Sequence, residues 1–128
     1  MIMDHKLKLM VVDDSPLFRT WLIHSLSADD RFQVVGYAVN ALDAQEKIPL
    51  LQPDMLTLDI EMPGMSGIEF LKQLLPVHPI PVILVSSLNL RVFDALEAGA
   101  VDFVRKPDEA NGLSKEIFLS MLRSKLMV

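Results

Sequence analysis

The chain has 128 residues, 51% hydrophobic and 23% charged, with no cysteine and 17 acidic against 12 basic residues for a net charge of −5. That length suits one domain with a single core and leaves no room for a second catalytic domain; the missing cysteines exclude a disulfide framework, thiolate metal sites and thiol nucleophiles. The acidity opposes binding to a phosphate backbone, so no direct nucleic-acid partner is expected; no apolar run approaches the ~18 residues of a membrane span and Met1 to Lys8 hold no signal-peptide block, so a soluble cytoplasmic domain with no membrane partner is expected.

Apolar runs alternate with helical periods along the whole chain, the pattern of a parallel sheet flanked by helices. Leu7 to Val12 reads as a strand. Asp13-Asp14-Ser15-Pro16 breaks it, offering an N-cap and a proline for a first helical turn, so a helix is predicted from about Pro16 to Ser27 with Phe18, Trp21, Leu22 and Leu26 on its inner face and Arg19 and Thr20 elsewhere. Phe32 to Ala38 reads as a second strand and Ala41 to about Leu51 as a second helix, where Pro49 should kink or end the last turn. Met55 to Leu58 forms a third strand running into Asp59. Ser66 and Glu69 stand at capping-box spacing, so the third helix should start at Gly67 and stop before Pro76. Pro81 to Val85 is a fourth strand ending in Ser86-Ser87, and a short helix from about Leu90 to Ala98 closes on Gly99. Val101 to Arg105 gives a fifth strand ending in Lys106-Pro107, and Ser114 to Met127 a last helix with Ile117, Met121, Leu122 and Leu126 inward. Five strand–helix units make a doubly wound α/β three-layer sandwich, whose sites fall at the carboxyl ends of the strands.

Four of the five strands end in a polar or ionisable residue: Asp13-Asp14, Asp59, Ser86 and Lys106. A parallel sheet puts all of them on one rim. Two like charges ~4 Å apart repel by ~4 kcal/mol at an effective dielectric of 20, so something positive must stand among the aspartates. Carboxylate oxygens without His or Cys suit Mg²⁺. Lys106 adds an ammonium and Ser86 a hydroxyl donor. Such a set can receive a phosphoryl group on a carboxylate, because that transfer is mostly positioning and charge neutralisation. The eight methionines read as core filler, and His5, His24 and His78 are too scattered to mark a phosphorelay donor.

Val12-Asp13-Asp14-Ser15, Asp59-Ile60-Glu61-Met62-Pro63-Gly64-Met65-Ser66-Gly67, Val85-Ser86-Ser87 and Gly99-Ala100-Val101-Asp102-Phe103-Val104-Arg105-Lys106-Pro107 together resemble a bacterial response-regulator receiver domain over nearly the whole chain. Leu56 to Pro63 and Pro81 to Leu88 are most similar to the receiver of the chemotaxis protein-glutamate methylesterase. The resemblance implies a flavodoxin-like sheet of order 2-1-3-4-5, five helices and one receiver domain over residues 1–128. It also implies Asp59 as phosphoacceptor, Asp14 as direct Mg²⁺ ligand, Asp13 acting largely through water, and Asp59 with the backbone carbonyl of Glu61 completing the metal site. Ser86 would hydrogen-bond the phosphoryl oxygen, and Lys106 would pair with Asp59, its bond to Pro107 cis. Ser86 and Phe103 would form the switch that remodels the output face. Glu61 would tune access of hydrolytic water and so phosphate lifetime. A sensor histidine kinase is the implied upstream partner, a weak dimer is left open, and the chain would catalyse only its own phosphorylation and dephosphorylation.

Three rivals fit less well. A flavin or nucleotide binder on this fold needs a Gly-rich phosphate loop after the first strand, where two aspartates stand instead. A Mg²⁺-dependent phosphohydrolase of the haloacid dehalogenase type resembles Asp-x-Asp after the first strand, not adjacent aspartates with the nucleophile on the third. A degenerate receiver that only binds partners would not need all the site residues. Two departures from methylesterase receivers stand out: the segment from Ser86 to Gly99 is shorter, trimming the output surface, and the sequence stops at Val128 with no G-x-S-x-G and no hydrolase domain. The chain is therefore expected to be either the regulatory domain of a methylesterase-like protein whose C-terminal effector lies outside it, or a stand-alone receiver acting by reversible docking.

Overall fold

The structure, a computed structural model, describes residues 6–87 and 92–127. Its elements are β1 (Leu7–Val12), α1 (Pro16–Ser27), β2 (Phe32–Ala38), α2 (Ala41–Leu51), β3 (Met55–Asp59), α3 (Gly67–Leu74), β4 (Val82–Ser86), α4 (Val92–Glu97), β5 (Asp102–Arg105), a 3-10 turn (Glu109–Asn111) and α5 (Lys115–Leu126). The strands form one parallel sheet of order β2-β1-β3-β4-β5, the arrangement expected from the sequence. Among the described residues no helix is long and apolar enough to cross a membrane. Leu90 and His5, named above, lie outside the described residues.

Successive strand residues point to opposite faces, and both faces are covered, which is why Leu9 to Val12 and Val82 to Val85 read as unbroken apolar runs. Met10, Val12, Leu56, Leu58, Val82 and Leu84 pack under α2 and α3, with Ala95 of α4. Leu9, Val11, Met55, Ile83, Val85 and Val104 pack under α1 and α5. The sheet thus divides the apolar interior into two clusters rather than leaving the single core that chain length suggested.

Side-chain caps start the helices where the sequence placed them. Ser15 accepts from the Phe18 N–H at 3.3 Å with Pro16 in the first turn, Ser66 from Glu69 at 3.2 Å, and Ser114 from Ile117 at 3.1 Å. Helix α2 covers Ala41–Leu51 as expected, with Pro49 in its last turn, and ends on Gln52 in the left-handed region, whose N–H closes on the Ile48 carbonyl at 2.9 Å. Two local expectations change, the starts of β4 and β5 and the inward face of α5. Strands β4 and β5 begin one residue later than read, at Val82 and Asp102, and Pro81 offers only its carbonyl to the Leu56 N–H. The described part of helix α4, Val92–Glu97, is followed by Gly99 at φ +105°, the glycine stop expected from the sequence. Helix α5 buries Phe118, Leu122 and Leu126, while Ile117 and Met121 are 50% and 45% exposed. The phase is set by Phe118, whose ring meets Phe18 and Trp21 of α1 at centroid distances of 5.8 and 5.9 Å and turns its neighbours outward.

Candidate functional site

Parallel register brings the polar strand ends together. Val12 pairs with Leu58, Asp59 with Val85, and Ser86 with Arg105, so Asp13, Asp59, Ser86 and Lys106 share one rim. Asp13 and Asp59 are 2% and 3% exposed and Ser86 is fully buried, whereas Asp14 faces solvent. One carboxylate oxygen from each of Asp13, Asp14 and Asp59 lies within 4.8 Å of the others.

Asp13 is bonded through every polar atom. Its N–H donates to the Ala38 carbonyl at 3.1 Å, and its carbonyl accepts from Arg19 Nη1 at 2.9 Å. Oδ1 accepts from the Ser15 N–H at 2.9 Å and Oδ2 lies 2.9 Å from Lys106 Nζ. Asp59 is held more loosely, by Lys106 Nζ at 3.5 Å and by the Glu61 N–H at 3.3 Å. Lys106 crosses the Phe18 ring at 4.4 Å, a cation–π contact that steers the ammonium inward. No cis peptide bond occurs among the described residues, so the Lys106–Pro107 bond is trans and the ammonium reaches the carboxylates without the cis geometry the resemblance implied.

Burial, and then the charge of Asp13, push the Asp59 carboxyl up to about 7, with a hydrogen bond to Asp14 acting in the same direction; Lys106 and the Glu61 N–H pull the other way and lose. One ammonium therefore does not balance three carboxylates. The donor set is all oxygen, it converges, and it carries surplus negative charge, so it fits a hard divalent cation.

Three residues matter here in ways the sequence reading did not anticipate. Arg19, read as pointing away, fixes the Asp13 carbonyl and stacks over Tyr37 at 4.8 Å. Gly67 starts α3 against the end of β3: a Cβ there would collide with the Asp59 carbonyl oxygen and stand 2.9 Å from the Asp59 carbonyl carbon, while the Gly67 N–H donates to Ile60 at 2.7 Å. The Glu61 side chain, expected only to tune hydrolytic water, accepts from Ser86 Oγ at 3.2 Å and from Ser87 Oγ at 3.0 Å. A glycine one residue after a helix cap, where the helix backs onto a strand end, was the one available signal among these. Phe103 is half-buried on β5 against the cluster under α2 and α3.

The response regulator receiver domain family model matches residues 9–118. A protein-glutamate methylesterase/protein-glutamine glutaminase of Syntrophomonas wolfei is 47% identical over 123 residues, covering 96% of this chain and 36% of that protein. The chain thus spans about a third of the length of the curated relatives it matches. The crystal structure of the response regulator domain of Thermotoga maritima CheB superposes with a TM-score of 0.85 at 37% identity, covering 96% of each chain. A CheX–CheY–BeF3–Mg²⁺ complex from Borrelia burgdorferi gives a TM-score of 0.71 at 30% identity, covering 91% of this chain and 89% of that one. The rim of acids, hydroxyl and ammonium is therefore that of a known fold family: the chain belongs to the response regulator receiver domains, and its likeness among them is to the receivers of CheB-type chemotaxis methylesterases.

Proposed function

We propose that residues 1–128 act as one cytoplasmic phosphoacceptor domain, in which Asp59 takes a phosphoryl group from the phosphohistidine of a sensor histidine kinase and the domain then alters its output face. The observation that carries this reading is the burial of the Asp59 carboxylate beside two further aspartates with one ammonium among them. A turn acid in solvent needs none of that company.

In the transfer an Asp59 oxygen bonds to phosphorus while the P–N bond to the kinase imidazole breaks, and the freed nitrogen takes a proton from water. Asp59 must be anionic to attack, yet at about 7 its carboxyl is half protonated near neutrality. Asp13, Asp14, Asp59 and the Glu61 carbonyl are the groups that would hold Mg²⁺, which when bound supplies the positive charge that keeps Asp59 ionised and offsets the incoming phosphoryl oxygens. Asp13, fixed on all sides, orients the acidic cluster. Lys106, already between Asp13 and Asp59, is placed to pair with an acyl phosphate on Asp59. The Ser86 hydroxyl donates to a phosphoryl oxygen, and its movement makes room for Phe103, which links the site to the face around α4 and β5. The Mg²⁺ and BeF3 of the Borrelia complex support the metal and phosphoryl parts of this reading. The likeness to CheB receivers supports placing the domain as the regulatory part of a chemotaxis protein-glutamate methylesterase.

Incubation with Mg²⁺ and a small acyl phosphate tests the central claim without a kinase. One labile phosphate per chain is expected, absent from Asp59→Ala; a labelled Asp59→Ala variant overturns the assignment.

A further inference from the structure

Glu61 stands two residues beyond Asp59, in the loop after β3, and its backbone and side chain do different things. The N–H donates to Asp59 Oδ1. The carboxylate reaches across the rim to the end of β4, where the one oxygen Oε1 accepts from both Ser86 Oγ at 3.2 Å and Ser87 Oγ at 3.0 Å. Ser87 is anchored in turn, its carbonyl accepting from Arg105 Nε at 3.4 Å. Two loops that border the Asp59 carboxylate are thus tied by a single anionic oxygen. The Ser86 hydroxyl is fully buried at the rim, while Glu61 is exposed and free to swing into solvent.

A hydroxyl has one proton to donate. Ser86 cannot give it to Glu61 and to a phosphoryl oxygen at once. An anionic oxygen taking two hydroxyl donors beside a buried carboxylate has the charge and the hydrogen-bonding demand of a phosphoryl oxygen at that rim.

Resting on the phosphoacceptor reading above, we infer that the Glu61 carboxylate is an internal competitor of the phosphoryl group: it holds the Ser86 and Ser87 hydroxyls in the unphosphorylated domain and must be displaced when the phosphoryl group arrives. Glu61 is a positioning residue acting through these serines. Its displacement both releases the Ser86 proton and cuts the tie from the loop after β3 to Ser86 and Ser87, so occupancy of Asp59 is converted into release of the carboxyl end of β4. This role differs from control of hydrolytic water, which would alter loss of phosphate and leave its uptake unchanged.

The test is calorimetric titration of the full chain with beryllium fluoride in excess Mg²⁺, in the parent, Glu61→Ala, Glu61→Gln, Ser87→Ala and Glu61→Ala/Ser87→Ala. Glu61→Ala should bind beryllium fluoride about threefold to tenfold more tightly, the range expected for freeing about one net hydrogen bond to a charged acceptor at a solvated site. Ser87→Ala should tighten binding in the parent background and change nothing once Glu61 is alanine, because Ser87 acts only through Glu61. Unchanged or weaker binding in Glu61→Ala overturns the inference. So does a pure charge effect, recognised when Glu61→Gln equals Glu61→Ala and Ser87→Ala is silent in both backgrounds. A parent chain that does not bind beryllium fluoride at all overturns the phosphoacceptor reading, and this inference falls with it.

Discussion

Replacing Asp59 with asparagine keeps the shape of the side chain and removes the charge that burial and Asp13 make costly. The Asp59 carboxyl stands at about 7 against an ordinary 3.8, so ionising it in the folded chain costs about 4 kcal/mol more than in the unfolded chain. Over the window between those values the folded chain keeps a proton that the unfolded chain has lost. Stability therefore falls as pH rises from about 3.8 towards 7, and the loss is complete just above that. The penalty is at most about 2 kcal/mol at pH 5 and about 4 kcal/mol at pH 8. Asp59→Asn is expected to be more stable than the parent by about 2–4 kcal/mol at pH 8, or about 8–16 °C in melting temperature for a chain of this size. The advantage should shrink to under about 2 kcal/mol at pH 5. Urea denaturation in EDTA at pH 5, 6, 7 and 8 measures it, since the difference between variant and parent cancels every other titrating group. Added Mg²⁺ should stabilise the parent more than the variant and narrow the gap. Parallel pH profiles for the two chains in EDTA, or a variant less stable than the parent at pH 8, would refute the claim that Asp59 is held as a strained carboxylate.

The positions around Asp59 give two further expectations. Gly67→Ala drives a Cβ into the Asp59 carbonyl, backbone that cannot yield without moving the acceptor, so it should cost about 3 kcal/mol or more by urea denaturation and reduce labelling by acyl phosphate. Lys106→Ala removes the one ammonium found on Asp13 and Asp59 among the described residues; Mg²⁺ affinity by calorimetry should rise about tenfold, as expected from losing about 1.4 kcal/mol of repulsion, while acyl-phosphate labelling slows by a similar factor or more. Weaker Mg²⁺ binding in that variant would contradict the charge balance drawn for the site.

The parts of this molecule that could be read from sequence are those where one local signal implies one geometry. Leu9 to Val12 and Val82 to Val85 are apolar without alternation because both faces are covered. Ser15, Ser66 and Ser114 announce helix starts by chemistry that acts over three residues. Once the sheet is parallel, residues at strand ends share a rim, so Asp13, Asp59, Ser86 and Lys106 could be brought together before any coordinate was known. What could not be read depends on long-range phase and reach. The inward face of α5 turns on Phe118 meeting Phe18 and Trp21, nearly a hundred residues earlier in the chain. Arg19 lies on the side of α1 away from its apolar stripe and still returns to the Asp13 carbonyl, because a long side chain one turn into the helix can fold back over the cap. The bonds from Ser86 and Ser87 to Glu61 span 25 and 26 residues and require knowing how two loops face each other, which no periodicity encodes.

The distances also divide the acids by task. Asp13 is held at 2.9 Å by Ser15, Arg19 and Lys106, whereas Asp59 has contacts at 3.3 and 3.5 Å. On the proposed reading, a carboxylate that becomes an acyl phosphate must give up part of its hydrogen bonding when the bond forms, and strong contacts made beforehand stabilise the ground state at the expense of the transition state. Long contacts on the acceptor lower that cost, and short ones on its neighbour keep the charged scaffold from following it. Burial adds to this: it makes the free Asp59 anion unfavourable, so on the proposed reading a bound cation that matches its charge is worth more there than at a solvated carboxylate. The same burial that weakens the fold near pH 8 thus raises the demand for a bound cation, so the stability of Asp59→Asn and the Mg²⁺ dependence of labelling expected of the parent are two tests of one strained group.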